Sequence, residues 1–221
     1  MAHHKTPSSF GPRQLAEHLG IPEWQFDRAR RLDRVPAPDR ARGRWSRATV
    51  EDIAPRLDEV VEAAGSVPDM GAVRAAEHLT QRLGMDVTPD AVAELARQGL
   101  LRTVEPYKGN NAYDGQDLEA LTDRVAVERA GHDGEQLLRD EVAERLGVRE
   151  VDVRHLVRAG LLTPVRWVRS WHQRRSAAPC VPLYRAADLT ALQERHDINW
   201  SAVRATPRGQ RSPPTSLPDA G

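Results

Sequence analysis

The sequence predicts a mainly α-helical protein with short β-hairpins, organised as three tandem copies of one small unit. Two observations lead to this class: helical apolar patterns that end at glycine, and the recurrence of the same landmarks at an even interval. Glycines that follow an apolar helix stand at positions 20, 84 and 147, so the interval is 64 and then 63 residues. Similarity at a fixed period is typical of an array of repeated supersecondary units.

The first helix and the turn after it define each copy. Residues 15–21 and 142–148 align residue for residue, and residues 76–85 align with them after a short insertion. A second helical pattern follows and ends at Gly99 in the second copy and at Gly160 in the third, because glycine takes the left-handed conformation of a helix stop cheaply. Asp33 takes that place in the first copy. Two helices joined by a short glycine-containing turn predict a helix-turn-helix.

Each copy closes with an aromatic residue that precedes one more helical pattern. The aromatics are Trp45, Tyr113 and Tyr184. An aromatic suits a short strand packed on the helices. We therefore expect copies at residues 10–64, 69–130 and 136–200, with glycine-containing linkers at 65–68 and 131–134. Residues 206–221 are polar and rich in proline, which predicts a disordered tail.

The net charge of zero conceals a segregation of charge along the chain. Residues 1–50 and 166–221 each carry a net charge of +5, whereas residues 51–105 and 106–165 carry −6 and −4. The basic ends suit a polyanion and the acidic middle does not.

The landmarks of the third copy carry a family resemblance. Residues 146–162 read Leu-Gly-Val, then a helix with arginines, then Gly-Leu-Leu, and an aromatic precedes an Asp-Leu helix further on. This order resembles the winged helix-turn-helix of MerR-type regulators and phage excisionases. The resemblance extends over residues 10–55, 70–121 and 137–192, and it implies a tandem array of three winged helix-turn-helix units.

In that family the second helix enters the major groove of DNA and the hairpin, or wing, contacts the backbone or minor groove. The groove-facing positions that the resemblance implies are Gln25, Asp27, Arg28 and Arg31 in the first copy, Ala91, Ala93, Glu94 and Arg97 in the second, and Asp152, Arg154, His155 and Arg158 in the third. Arginine binds guanine or phosphate, whereas two alanines and a carboxylate do not. DNA contact is therefore expected from the first and third copies, with the acidic second copy as a spacer or a protein-contact module.

The wings have the same distribution of charge. Candidate DNA contacts are Arg42, Arg44 and Arg47 in the first wing and Arg166, Arg169, Arg174 and Arg175 in the third. The third wing also carries Trp167 and Trp171, which could contact DNA or a partner or could equally form a lid on the third core. Trp24, Phe26, Val151, Val153, Leu156 and Val157 are expected to belong to the cores.

Other classes of function find little support in the sequence. No motif of a phosphate loop, a hydrolase nucleophile or a zinc protease is present, so we expect no enzyme. Histidines do not fall at metal-ligand spacing and Cys180 has no C-x-x-C partner, so we expect no metal or cofactor. The sequence has no evident coiled-coil helix or effector domain, so we expect no small-molecule effector. No apolar run is long enough for a membrane span, and residues 1–10 lack the apolar stretch of a secretory signal.

The sequence as a whole predicts a cytoplasmic, nucleoid-associated protein that binds double-stranded DNA selectively through its first and third copies. It would act as a transcriptional regulator or an architectural factor, and its two active copies would read two half-sites. The alternative is an adaptor that docks another protein through the acidic second copy or the tryptophan-bearing wing.

Overall fold

The computed structural model describes residues 8–107, 110–169, 180–207 and 209–216. Its helices are α1 (Pro12–Leu19), α2 (Glu23–Arg31), α3 (Arg47–Ile53), α4 (Leu57–Ala64), α5 (Ala72–Leu83), α6 (Pro89–Arg97), α7 (Gly115–Ala120), α8 (Arg124–Gly134), α9 (Arg139–Leu146), α10 (Glu150–Arg158), α11 (Ala186–Gln193) and α12 (Trp200–Ala205). Its strands are β1 (Ser9–Phe10), β2 (Trp45–Ser46), β3 (Met70–Gly71), β4 (Thr103–Tyr107), β5 (Asn110–Tyr113), β6 (Gln136–Leu137), β7 (Arg166–Arg169) and β8 (Cys180–Arg185). Single 3₁₀ turns span Ala54–Arg56 and Pro213–Ser216. The predicted class, mainly α with short β segments, is confirmed.

The chain divides into two compact units. The N-terminal unit comprises residues 1–79 and 99–122, and the C-terminal unit comprises residues 80–98 and 123–221. This division runs through the second predicted copy, residues 69–130. The helix α6 and the hairpin β4–β5 of that copy therefore belong to different compact units.

The same order of elements recurs three times along the chain: a short strand, two helices, a strand or hairpin, and a helix. In each case the opening strand pairs antiparallel with the strand that carries the aromatic landmark. The pairs are Phe10 with Trp45, Met70 with Tyr113, and Leu137 with Tyr184. All three aromatics are buried, which confirms their predicted packing role.

The helix stops have the backbone conformation that the sequence predicts. Gly20 and Gly147 end α1 and α9 with φ values of 72° and 68°. Asp33, the substitute for glycine after α2, has a φ of 55°. A left-handed residue at these points lets the chain turn sharply into the next segment.

Each compact unit has its own apolar core. In the N-terminal unit Phe26 and Trp45 lie edge to face with ring centroids 5.4 Å apart, and the Trp45 indole donates a hydrogen bond of 2.8 Å to the carbonyl of Pro36. In the C-terminal unit Val153 and Leu156 of α10 pack with Tyr184. Phe26, Val153 and Leu156 are buried as predicted, whereas Trp24, Val151 and Val157 are only half-buried.

One segment predicted as a linker is helical instead, and part of the predicted tail makes hydrogen bonds. Residues 131–134, predicted as a linker, form the last turn of α8. In the described part of the predicted disordered tail, residues 206–221, most side chains are exposed, while Ser212 and Pro214 are buried. There the hydroxyl of Ser212 donates to Asp152 on α10, and Arg149 donates from Nη1 to the carbonyls of Pro207 and Gln210 at 2.8 and 3.2 Å.

This tail contact yields a testable expectation. Burial raises the pKa of Asp152, but the hydrogen bonds from Arg149 and Ser212 outweigh it and hold that pKa below its usual range. We expect Ser212→Ala to lower the free energy of unfolding at pH 7 by about 1.5–3 kcal/mol, since it removes a hydrogen bond to a buried charge.

A carboxyl with a depressed folded-state pKa stabilises the fold above its unfolded pKa, and this contribution disappears as the pH falls through the folded value. The difference between wild type and Ser212→Ala, measured by urea unfolding, should therefore be full at pH 7 and shrink below about pH 4. The exposed Ser201→Ala is the control. Equal stability of wild type and Ser212→Ala at pH 7 would contradict the tail contact.

Candidate nucleic-acid interface

The three second helices can be compared position by position because each has nine residues. They begin at Glu23, Pro89 and Glu150. Their third positions are Gln25, Ala91 and Asp152, their sixth positions are Arg28, Glu94 and His155, and their ninth positions are Arg31, Arg97 and Arg158. These positions include most of the predicted groove-facing residues.

In the first copy the third and sixth positions are buried. Gln25 donates from Nε2 to the carbonyl of Gly65 at 2.8 Å, and Arg28, only 3% exposed, donates from Nη1 to the carbonyl of Ala64 at 2.6 Å. The other Arg28 nitrogen, Nη2, donates to Asp69. The prediction that Gln25 and Arg28 contact DNA is therefore corrected, because both side chains are occupied inside the N-terminal unit.

Asp69 forms ion pairs with two arginines of α2, Arg28 and Arg31. Arg31, which is half exposed, donates from Nη2 to Asp69 Oδ2 at 2.7 Å, and the amide of Gly115 donates to Oδ1 at 3.1 Å. Burial raises the pKa of Asp69, but Arg31, the Gly115 amide and Arg28 together bring it below its usual range. Arg31 thus has a structural partner, although part of its side chain stays in solvent.

In the second copy the equivalent surface is covered as well. Ala91 is buried, and Glu94, 3% exposed, accepts hydrogen bonds of 3.0 and 3.1 Å from Arg185 and a further one from Arg97. Helix α8 lies close against α6, since a Cβ added at Gly134 would come within 2.7 Å of the Asp90 carbonyl oxygen. Glu94, the acidic residue that argued against DNA contact by this copy, therefore forms its ion pairs inside the C-terminal unit.

One arrangement therefore recurs in the first two copies. In each, the sixth position of the second helix forms an ion pair with a residue of the next copy, Arg28 with Asp69 and Glu94 with Arg185. Asp69 precedes β3 and Gly115 begins α7, while Arg185 precedes α11. We call these two contacts the copy junctions; the first lies within the N-terminal unit and the second within the C-terminal unit.

The third copy has a different environment on its second helix. Asp152 is fully buried and accepts two hydrogen bonds from Arg149, at 2.8 and 2.9 Å, so its predicted groove-facing position is corrected. Arg154 and Arg158 are exposed, and His155 is half-buried. Burial, followed by the charge of Arg158, lowers the pKa of His155. Helix α10 thus presents two guanidinium groups and an imidazole whose neutral form is favoured.

The first wing offers fewer arginines for DNA contact than its composition predicts. Arg44 donates to Ser9 Oγ at 2.9 Å, to the Ser9 carbonyl at 2.6 Å and to Gln14 Oε1 at 3.0 Å, which ties the wing to its own helix. Arg47 donates to Glu51 at 3.0 Å. Arg42 is exposed at the tip with a φ of 60° and has no ion pair among the described residues. Of the three predicted contacts in this wing, Arg42 alone is both exposed and without a carboxylate partner in the described structure.

The third wing is an antiparallel hairpin of β7 and β8 in which Arg166 pairs with Leu183 and Arg169 with Cys180. Both arginines are exposed, and Arg166 lies near enough to Asp90 to act on its pKa, which burial raises. Trp167 is 61% exposed, so the alternative that it closes the third core is wrong. Arg174, Arg175 and Trp171 lie outside the described residues.

Sequence reasoning missed the residues that hold the junctions. Asp69 was assigned no role, and Arg185 was counted only among the basic residues of the third wing. The only signal that indicates their pairing is the reversal of charge between Arg28 and Glu94 at one repeat position. That signal becomes informative only when the partner of each charge is known.

Other kinds of site have no support in the described part of the chain. Its side chains bring no group of three or more His, Cys, Asp or Glu together in a way that could hold a metal ion. None of the helices described has the length and hydropathy needed to span a bilayer. No protein-family model, no curated protein and no solved structure matches the chain.

Proposed function

We propose that the chain is a non-enzymatic DNA-binding protein that contacts double-stranded DNA through α10 and the β7–β8 hairpin of its third copy. On this proposal the three copies are winged helix-turn-helix modules, of which the first two use their second helices for internal packing. The observation that carries it is the exposure of Arg154 and Arg158 on α10, whereas the covered faces of α2 and α6 point into the copy junctions.

The chemistry of the third copy supports the proposal. Arginine on an exposed helix can bind guanine in the major groove, and arginine on a wing can bind phosphate. The described residues of the hairpin, 163–169 and 180–185, contain no acidic side chain. Residues 166–221 as a whole carry a net charge of +5. A surface of this kind gains affinity by releasing counterions from DNA.

The proposal is narrower than the sequence-based hypothesis of two half-sites. Because Gln25 and Arg28 are buried, the first copy retains Arg42 as an exposed arginine for an auxiliary phosphate contact. One helix then reads the groove, and a single compact footprint is expected. Whether the protein regulates transcription or shapes DNA follows from where that footprint falls in a genome.

Charge reversal on α10 tests the proposal. We expect Arg154→Glu with Arg158→Glu to weaken binding to genomic DNA fragments by at least roughly 100-fold, since each arginine is worth about 1–3 kcal/mol at a base. The slope of log K against log salt should fall by about two. Fluorescence anisotropy over a salt series measures both quantities.

The matched control is Arg124→Glu with Arg129→Glu, which makes the same change of charge on exposed positions of α8 in the same compact unit. Its effect should be several-fold at most. If both double variants lost the same affinity, the loss would be a nonspecific effect of net charge and the assignment of the contact to α10 would be wrong. No binding by the wild type at low salt would overturn it in favour of a protein-docking adaptor.

A further inference from the structure

We propose that Trp167 is a stacking platform for an unpaired base, so that the protein prefers DNA with a bulge or mismatch over a perfect duplex. This inference rests on the proposed DNA-binding function and specifies the form of DNA that the third wing recognises. Its starting point is the position of Trp167 on β7, an edge strand of the β6–β8–β7 sheet, with most of its side chain in solvent.

The alternation of side chains along β7 defines the surface around the indole. Successive residues of a strand point to opposite faces, so Trp167 shares its face with Val165 and Arg169, while Arg166 and Val168 take the other. Val165 is exposed as well. The face thus combines an apolar aromatic plane with a guanidinium group on the same strand.

Trp167 is more exposed than the aromatic landmarks of the three copies. Trp45, Tyr113 and Tyr184, the aromatic landmarks, are each buried against a core. Among the side chains that the structure describes, Trp167 is the only tryptophan, tyrosine or phenylalanine that is mostly exposed to solvent. The exposed indole, beside the exposed Val165, presents an aromatic plane on which a flat ring can stack.

A nucleic-acid base fits this surface better than an apolar peptide. Arg169 lies on the same strand face as the indole and Arg166 on the opposite face of β7. The described residues of the hairpin offer no carboxylate to a basic partner. Single-stranded segments bind where aromatic side chains stack on bases and cations follow the backbone, and such stacking tolerates any sequence. A paired base inside a regular duplex presents no free face, whereas an extruded base does.

The experiment compares three labelled DNAs of one sequence: a perfect duplex, the same duplex with a two-nucleotide central bulge, and the single strand. We expect the full-length protein to bind the bulged duplex roughly tenfold more tightly than the perfect one. Trp167→Ala should remove that preference and change the affinity for the perfect duplex less than about twofold. Trp167→Phe should keep most of the preference because it retains an aromatic face, and Val165→Ala, on the same strand face, is the matched control.

The outcomes separate this inference from the function on which it rests. If the wild type binds all duplexes equally and Trp167→Ala does the same, the stacking role is overturned and DNA binding by α10 stands. If Trp167→Ala loses the perfect and bulged duplexes by the same factor, Trp167 is a general contact and the inference is again overturned. If the wild type binds none of the DNAs, the proposed function fails as well, and the exposed face of β7 is left to a protein partner.

Discussion

Replacement of Gly115 by alanine is expected to destabilise the N-terminal unit by about 3 kcal/mol or more, at the upper end of the cost of overpacking. A Cβ at this position would lie 2.0 Å from the carbonyl oxygen of Val67 and 2.6 Å from that of Pro68. Backbone atoms cannot give way as a flexible side chain does. Any retreat of α7 would also pull the Gly115 amide from Asp69 and disturb the first copy junction.

Gly131→Ala is the matched control for this change. Gly131 lies inside α8, and no atom stands within 4 Å of the position that its Cβ would take. Alanine there should stabilise the protein by about 0.5–1 kcal/mol, because it restricts the unfolded chain and favours the helix. Urea unfolding of both variants measures the contrast. A Gly115→Ala protein within 1 kcal/mol of the wild type would show that α7 does not need its close approach to residues 67–68.

The sequence predicted those parts of the fold that depend on local chemistry. Asp33 was expected at a helix stop, and it has the left-handed backbone that such a stop requires. Trp45, Tyr113 and Tyr184 were expected to pack, and each is buried on a strand that pairs with the opening strand of its copy. Such landmarks are predictable because a turn or a buried aromatic restricts the residue that occupies it, whatever lies farther away.

The partner of each helix face was beyond the reach of the same reasoning. Arg28 has the residue type, the helix position and the basic neighbours of a DNA contact, yet it pairs with Asp69, 41 residues further along the chain. The family resemblance predicted which face of α2 would contact DNA. It did not show that other residues of the chain cover that face. Burial of a charged side chain is decided by long-range packing, and a single sequence does not show that packing.

The two copy junctions use the same helix position with opposite charge. Arg28 pairs with Asp69 in the first junction, and Glu94 pairs with Arg185 in the second. If the partners were exchanged, Arg28 would face Arg185 and Glu94 would face Asp69, which would bring like charges together. Buried ion pairs add little net stability compared with apolar packing, but they penalise wrong pairings strongly. In an array of similar copies, this difference favours the correct register of one copy on the next.

Glu94→Ala tests this interpretation and is expected to cost about 3 kcal/mol in the C-terminal unit, because Arg185 and Arg97 both lose their hydrogen bonds to a buried carboxylate. Arg185 would retain Asp188 but lose both hydrogen bonds to Glu94, and Arg97 would lose its carboxylate. Glu94→Gln, which preserves the shape and one acceptor, should lose less.

Glu128→Ala on the exposed face of α8 is the control and should change the free energy of unfolding by less than about 0.5 kcal/mol. Chemical unfolding followed by circular dichroism measures all three variants. A Glu94→Ala protein as stable as Glu128→Ala would mean that the second junction depends on apolar packing alone. The charge reversal between Arg28 and Glu94 would then carry no information about register, because a copy could dock on either neighbour with the same energy.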